Sequence, residues 1–190
     1  MRRAELLQIV GIPATTYNAL NNRGHLPFAG RATATGWTDF QEEQAVRLAL
    51  LMDLARAGLP QSHAATLVRN HFDDLLDLAN EGRPSDAGRF LFGGATLETT
   101  EPVRAAEPVI RPIIAVTGTL DKAIRRVAVD HGSGSDVQML AIVLVDVTTT
   151  ISALYRRVRT SDVPNAEMQQ WAILFGAEKG RLISPRGERW

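Results

Sequence analysis

Thr15, Asn18 and Asn22 stand three and four residues apart between two glycines, Gly11 and Gly24. On a helix that spacing lines their hydroxyl and amide groups along one face, while Tyr17 and Leu20, three apart, take the opposite one. An Asn side chain carries a donor and an acceptor side by side, and a Thr hydroxyl serves as either. A face so built suits hydrogen bonding to base edges, where an Asn amide pairs with adenine through both of its polar atoms. Thr16 adjoins this face, and Arg2, Arg3 and Arg23 flank it in sequence.

The other residues that could carry chemistry form no comparable set. His25, His63, His71 and His131 show no metal-ligand spacing, and His63 and His71 lie about two helical turns apart. The absence of cysteine excludes disulfides, thiolate metal sites and cysteine nucleophiles. Val116-Thr-Gly-Thr119 lacks the further glycines and basic partner of a nucleotide-binding turn, and Gly132-Ser-Gly-Ser135 reads as a flexible turn. Asp146 ends an apolar run just before Thr148-Thr149-Thr150. A carboxylate there stands where α/β enzymes place nucleophiles or metal ligands, but it also suits the cap of a following helix, and no second carboxylate is near in sequence. Capping is the stronger reading, and no cofactor is implied.

The elements that must position these residues follow from apolar periodicity and from Gly and Pro. Leu6, Leu7 and Val10 predict a short helix closed by Gly11, and Pro13 opens a second that Gly24 ends. Two extended runs, His25 to Phe28 and Trp37 to Phe40, suit a hairpin with an exposed tip that holds Arg31 and Thr33. Arg31 there could enter a minor groove or grip phosphate. A long helix is predicted from about Phe40 to Ala57, with Val46, Leu50 and Leu54 inward and Gly58 as its stop. From Pro60 another helix carries the stripe Ala64, Val68, Phe72, Leu75 and Ala79, with Asp73, Asp74 and Asp77 off it. That acidic side should point away from phosphate, towards a partner subunit or second domain.

Residues 82–88 read as a linker between a first domain, 1–81, and a second, 89–190. In the second, Arg89 to Thr100 predicts two short strands split at Gly93-Gly94, and Val109 to Val116 an edge strand because of Pro112. Thr119 to Val129 reads as a helix. Residues 137–158 read either as a strand followed by a helix from about Ile151, or as one heptad-spaced helix; their Val, Ile and Thr content favours the strand-then-helix reading. Trp171 to Phe175 is a strand or a short helix.

A chain of 190 residues, 45% hydrophobic, suits two modest domains. Its net charge is zero, but residues 1–36 balance to +3, residues 37–101 to −6 and residues 102–190 to +3. The positive end thus coincides with the Thr/Asn face. Without a signal-peptide h-region or an apolar run of about 20 residues, a soluble cytoplasmic protein with no membrane partner is expected.

Gly11-Ile12, Arg23-Gly24-x-Leu26-Pro27, Gly36-Trp37-Thr38-Asp39-Phe40, Glu42-Glu43, Arg47-Leu48 and Ala57-Gly58-Leu59-Pro60 follow one another in the order and spacing of a known domain. Residues 1–80 thereby resemble the N-terminal DNA-binding domain of the MerR family of transcriptional regulators. The resemblance implies a winged helix-turn-helix, double-stranded DNA as partner, a homodimer on two half-sites and control of RNA polymerase. Asn18, Ala19 and Leu20 stand where the family has an arginine followed by aromatics, and Thr38 replaces an arginine of the wing. Contacts are therefore expected from Arg2, Arg3, Thr15, Thr16, Asn18, Asn22, Arg23, Arg31 and Thr33.

The fold expected is α+β: a winged helix-turn-helix followed by a small mixed α/β domain for oligomerisation or sensing. The function expected is sequence-specific regulation of transcription without enzymatic activity. Two alternatives stay open: a protein-interaction adaptor with a degenerate winged domain, and a small α/β enzyme centred on Asp146.

Overall fold

In a computed structural model, residues 1–29, 31–32, 38–81, 89–99, 109–117, 137–161 and 166–177 are described. Helix α1 (Arg3–Val10) stops at Gly11, whose φ of 74° is left-handed and whose N–H returns to the Leu7 carbonyl at 2.8 Å. Pro13, at φ −66°, leads into α2 (Ala14–Asn22). Helix α3 (Glu42–Arg56) buries residues around most of its circumference, from Ala45 to Leu54. Helix α4 (Gln61–Glu81) buries the predicted stripe and leaves Asp73, Asp74 and Asp77 exposed.

Arg47 ties α3 to α4. Its guanidinium lies 4.2 Å from the centre of the buried Phe72 ring and bonds Glu43 and Asp73, each at 2.7 Å. The cation thus covers an aromatic face while both of its ends meet carboxylates.

The hairpin differs from its prediction. Strand β1 is Arg31–Ala32, paired antiparallel with β2 (Thr38–Asp39), and His25 to Phe28 forms no strand. The backbone of that segment is engaged elsewhere. The His25 N–H bonds the Leu20 carbonyl at 2.8 Å, Arg69 holds the Gly24 and Leu26 carbonyls, and Pro27 has no N–H to give a ladder. Phe28 meets Phe40 edge-on at 6.1 Å.

Strand β3 (Arg89–Thr99) is the centre of an antiparallel sheet, between β4 (Val109–Thr117) and β5 (Val137–Asp146). The predicted break at Gly93-Gly94 is absent, and β3 runs through both glycines. A Cβ on Gly93 would stand 1.9 Å from the Val143 carbonyl oxygen, so glycine serves here to admit the neighbouring backbone rather than to turn the chain. Pro112 lies on the edge strand β4, opposite Gly94.

The strand-then-helix order holds and the single heptad helix is ruled out, but α5 (Val147–Arg159) follows β5 directly instead of starting near Ile151, because Asp146 caps it at Val147. Trp171 lies in a helix, α6 (Ala166–Leu174). The predicted helix 119–129 lies outside the described residues.

One face of β3 presents Phe90 and Phe92 to the helices. Phe90 meets Phe175 at 5.0 Å, Phe175 stacks on Trp171, and Trp171 reaches Phe72 at 5.8 Å. Buried side chains from Leu6 to Ala177 form a contiguous cluster that includes α1 to α4, β3, β5, α5 and α6. The described residues are thus mixed α+β, with six helices, a three-stranded antiparallel sheet and the short β1–β2 pair. No helix among them is long and apolar enough to cross a membrane.

Candidate nucleic-acid interface

The orientation of α2 is set by what it buries. Tyr17 and Leu20 are enclosed, with Tyr17 edge-on to Phe40 at 6.2 Å. Thr15, Asn18, Asn22 and the C-cap residue Arg23 are consequently exposed, and Thr16 is half-buried on the flank. The face read from the sequence is therefore presented as one surface, with Thr16 at its margin.

Arg3 joins that surface from α1. Its guanidinium donates a hydrogen bond to Asn18 Oδ1 and lies 4.7 Å from the centre of the Tyr17 ring. Burial pushes the Tyr17 hydroxyl pKa above its ordinary value of about 10, and the Arg3 charge pulls it the other way. Arg2 is exposed at the N-cap of α1, where Glu5 accepts its backbone N–H at 2.5 Å. Arg31 belongs to β1, opposite Asp39 in register. Thr33 lies outside the described residues.

The base of the hairpin is braced against the helices. Arg69 of α4 donates to the carbonyls of Gly24 at 3.2 Å and Leu26 at 2.7 Å, Gln44 of α3 donates to Ala29 at 3.1 Å, and the Phe40 N–H bonds the Met1 carbonyl at 2.9 Å. Arg69 was not singled out from the sequence, since nothing local marks an exposed helical arginine that will meet a loop 43 residues away.

Electrostatically, the sequence carries no carboxylate from Leu6 to Thr38, whereas Glu42, Glu43, Asp73, Asp74 and Asp77 mark α3 and α4. A phosphate backbone would meet least repulsion on the side of α1 and α2.

The residues weighed for catalysis are placed otherwise. Asp146 caps α5, accepting from the Thr149 backbone N–H at 3.1 Å and the Thr149 hydroxyl at 3.0 Å. His71 pairs with Asp74 at 2.9 Å, His63 is exposed, and His25 Nδ1 is buried without a hydrogen-bond partner. His131 lies outside the described residues. A cavity of about 310 Å³ between α4 and α6 is lined by Ala79, Asn80, Gln170, Ile173 and Leu174, none of which titrates. No family model, curated protein or solved structure matches the chain.

Proposed function

We propose that the protein is a sequence-specific, double-stranded DNA-binding regulator of transcription. On this reading α1, α2 and the β1–β2 pair act as a winged helix-turn-helix, and two copies bind two half-sites. The observation that carries it is the face of α2. Burial of Tyr17 and Leu20 leaves Thr15, Asn18 and Asn22 outward on a stretch without a carboxylate between Leu6 and Thr38.

Asn18 supplies base recognition, because its amide donor and acceptor match adenine N7 and N6. Its acceptor oxygen is held by Arg3 in the unbound protein. Docking therefore exchanges that bond for one to a base and releases the Arg3 guanidinium to a phosphate. On this reading Arg2, Arg23 and Arg31 supply further positive charge for the phosphate backbone.

Selection from random-sequence duplexes tests the proposal. The bound pool should enrich one motif in two half-sites, and affinity should fall steeply with salt. Asn18→Ala should relax preference at one base pair by about 1–3 kcal/mol. A pool with no enriched sequence and no salt-dependent binding refutes the reading. Light scattering tests the homodimer, and a monomer at every concentration refutes that part.

The Arg3–Asn18 bond also favours a second reading, a protein-interaction adaptor, since it already occupies the group best suited to a base. The same selection separates the two, for an adaptor enriches nothing.

A further inference from the structure

The last turn of α5 contains Arg156, Arg157 and Arg159. Arg157 donates to the carbonyls of Ile9 at 3.2 Å and Val10 at 2.6 Å, the open C-terminal end of α1. It lies so close that a Cβ on Gly11 would stand 2.9 Å from the guanidinium carbon. This contact, across 147 residues of sequence, sets the end of α5 beside the turn that leads into α2.

Arg156 and Arg159 have no such structural employment. They stand three apart on α5, both exposed, away from the buried Ile151, Leu154 and Val158. The Arg156 side chain makes no hydrogen bond or ion pair among the described residues, and the Arg159 guanidinium rests 5.9 Å from the centre of the Tyr155 ring. Capping does not need them. The Thr160 hydroxyl bonds the carbonyls of Arg156 and Arg157, and the Ser161 hydroxyl bonds that of Val158.

Neither side chain pairs with a carboxylate among the described residues; Asp162, three residues after Arg159, lies outside them. No carboxylate occurs from Val147 to Ser161. Asp146 lies ten residues before Arg156 along the helix, about 15 Å away at 1.5 Å per residue, beyond a Debye length of about 8 Å. Two exposed guanidinium groups thus stand on the last turn of α5, the turn that Arg157 holds against the C-terminal end of α1.

We infer that Arg156 and Arg159 form a second arm of the DNA interface, gripping phosphates of the duplex beside the segment read by α2. The inference rests on the DNA-binding reading above. Guanidinium forks suit phosphate oxygens and carry no base information, so this arm adds affinity without selectivity.

The test compares the full chain with Arg156→Ala/Arg159→Ala and Arg156→Lys/Arg159→Lys. Each is titrated with the selected duplex and with a random duplex of equal length over a range of salt. Each phosphate contact contributes about 0.9 to the slope of log affinity against log salt. The alanine pair should lower that slope by about 2 and weaken both duplexes by a similar factor, about tenfold or more at 0.15 M salt. The lysine pair should keep the slope. Since both side chains are exposed, the melting temperature should stay close to that of the parent, and a glutamine pair repeats the test if the alanine pair melts lower.

An unchanged slope for a charge-neutral pair overturns this inference and leaves the role of α2 standing. A changed sequence preference with an unchanged slope also overturns it. A parent chain that binds neither duplex at low salt overturns both.

Discussion

Replacing Gly93 by alanine should reverse the usual sign of that substitution. Where the backbone permits it, Gly→Ala adds about 0.4–1 kcal/mol of stability by restricting the unfolded chain. At Gly93 the new Cβ would stand 1.9 Å from the Val143 carbonyl oxygen and 2.9 Å from Leu144 Cα, both backbone atoms. Carbon and oxygen in neighbouring strands settle at about 3.3–3.6 Å, so β5 would have to withdraw by more than about 1 Å. Movement of β3 the other way is opposed by β4, because Gly93 pairs with Ile113 as well as with Leu144. Losing about two ladder hydrogen bonds at about 1 kcal/mol each, and adding about 1–3 kcal/mol of overpacking strain, gives a loss of about 3–5 kcal/mol. At about 2–4 °C per kcal/mol for a chain of this size, the melting midpoint should fall by about 6–20 °C. Gly58→Ala is the control. Gly58 has a φ of 106° and nothing within 4 Å of a new Cβ, so it bears only the cost of left-handed backbone, about 1–2 kcal/mol. Urea denaturation and thermal melts followed by circular dichroism should therefore rank the parent above Gly58→Ala and Gly58→Ala above Gly93→Ala. A Gly93→Ala protein as stable as the parent refutes the close approach of β5 and the pairing of Gly93 with Leu144.

Phe72→Ala should cost about 3–5 kcal/mol, since the ring is fully buried between Arg47 and Trp171; a double-mutant cycle with Arg47→Met should return a coupling of about 0.5–1 kcal/mol, and a coupling near zero denies the cation–π contact. Asp146→Ala should cost about 1 kcal/mol in urea denaturation through loss of the α5 cap, and Asp146→Asn clearly less, because an amide oxygen still accepts the Thr149 N–H; equal losses refute capping as the reason. Because the Tyr17 pKa is raised, the unfolded chain loses that proton first, so stability falls as pH rises from about 10 through the folded pKa. Comparing parent and Tyr17→Phe by urea denaturation at pH 9 to 11 checks this, and identical pH profiles contradict it.

Local pattern was enough wherever a segment's structure follows from its own periodicity. The stripe from Ala64 to Ala79, the inward pair Tyr17 and Leu20 and the cap at Asp146 all depend on which residues recur at helical spacing and on what a cap requires. Misreadings arose where a residue's role is set by a distant backbone. Gly93-Gly94 looks like a turn because glycine permits one, yet here it lets Val143 come close. The segment from His25 to Phe28 has strand-like residues, but Arg69 of α4 claims its Leu26 carbonyl and that of Gly24 just before it. Neither partner is marked in the neighbouring sequence.

The Thr/Asn face of α2 was legible for the same reason as the stripe of α4, since both are one side of one helix. Arg3 was legible as a nearby charge, but its bond to Asn18 was not, for it depends on how α1 and α2 cross. The end of α5 was less legible still. Three arginines in four positions at 156–159 read as an ordinary helical C-terminus, where positive charge offsets the helix dipole. Only the packing separates them: Arg157 closes the carbonyls of α1, Thr160 and Ser161 close those of α5, and Arg156 and Arg159 are left with charge that neither helix end requires. A sequence balance of +3 over residues 102–190 counts all three alike, whereas geometry ties Arg157 to α1 and leaves Arg156 and Arg159 exposed.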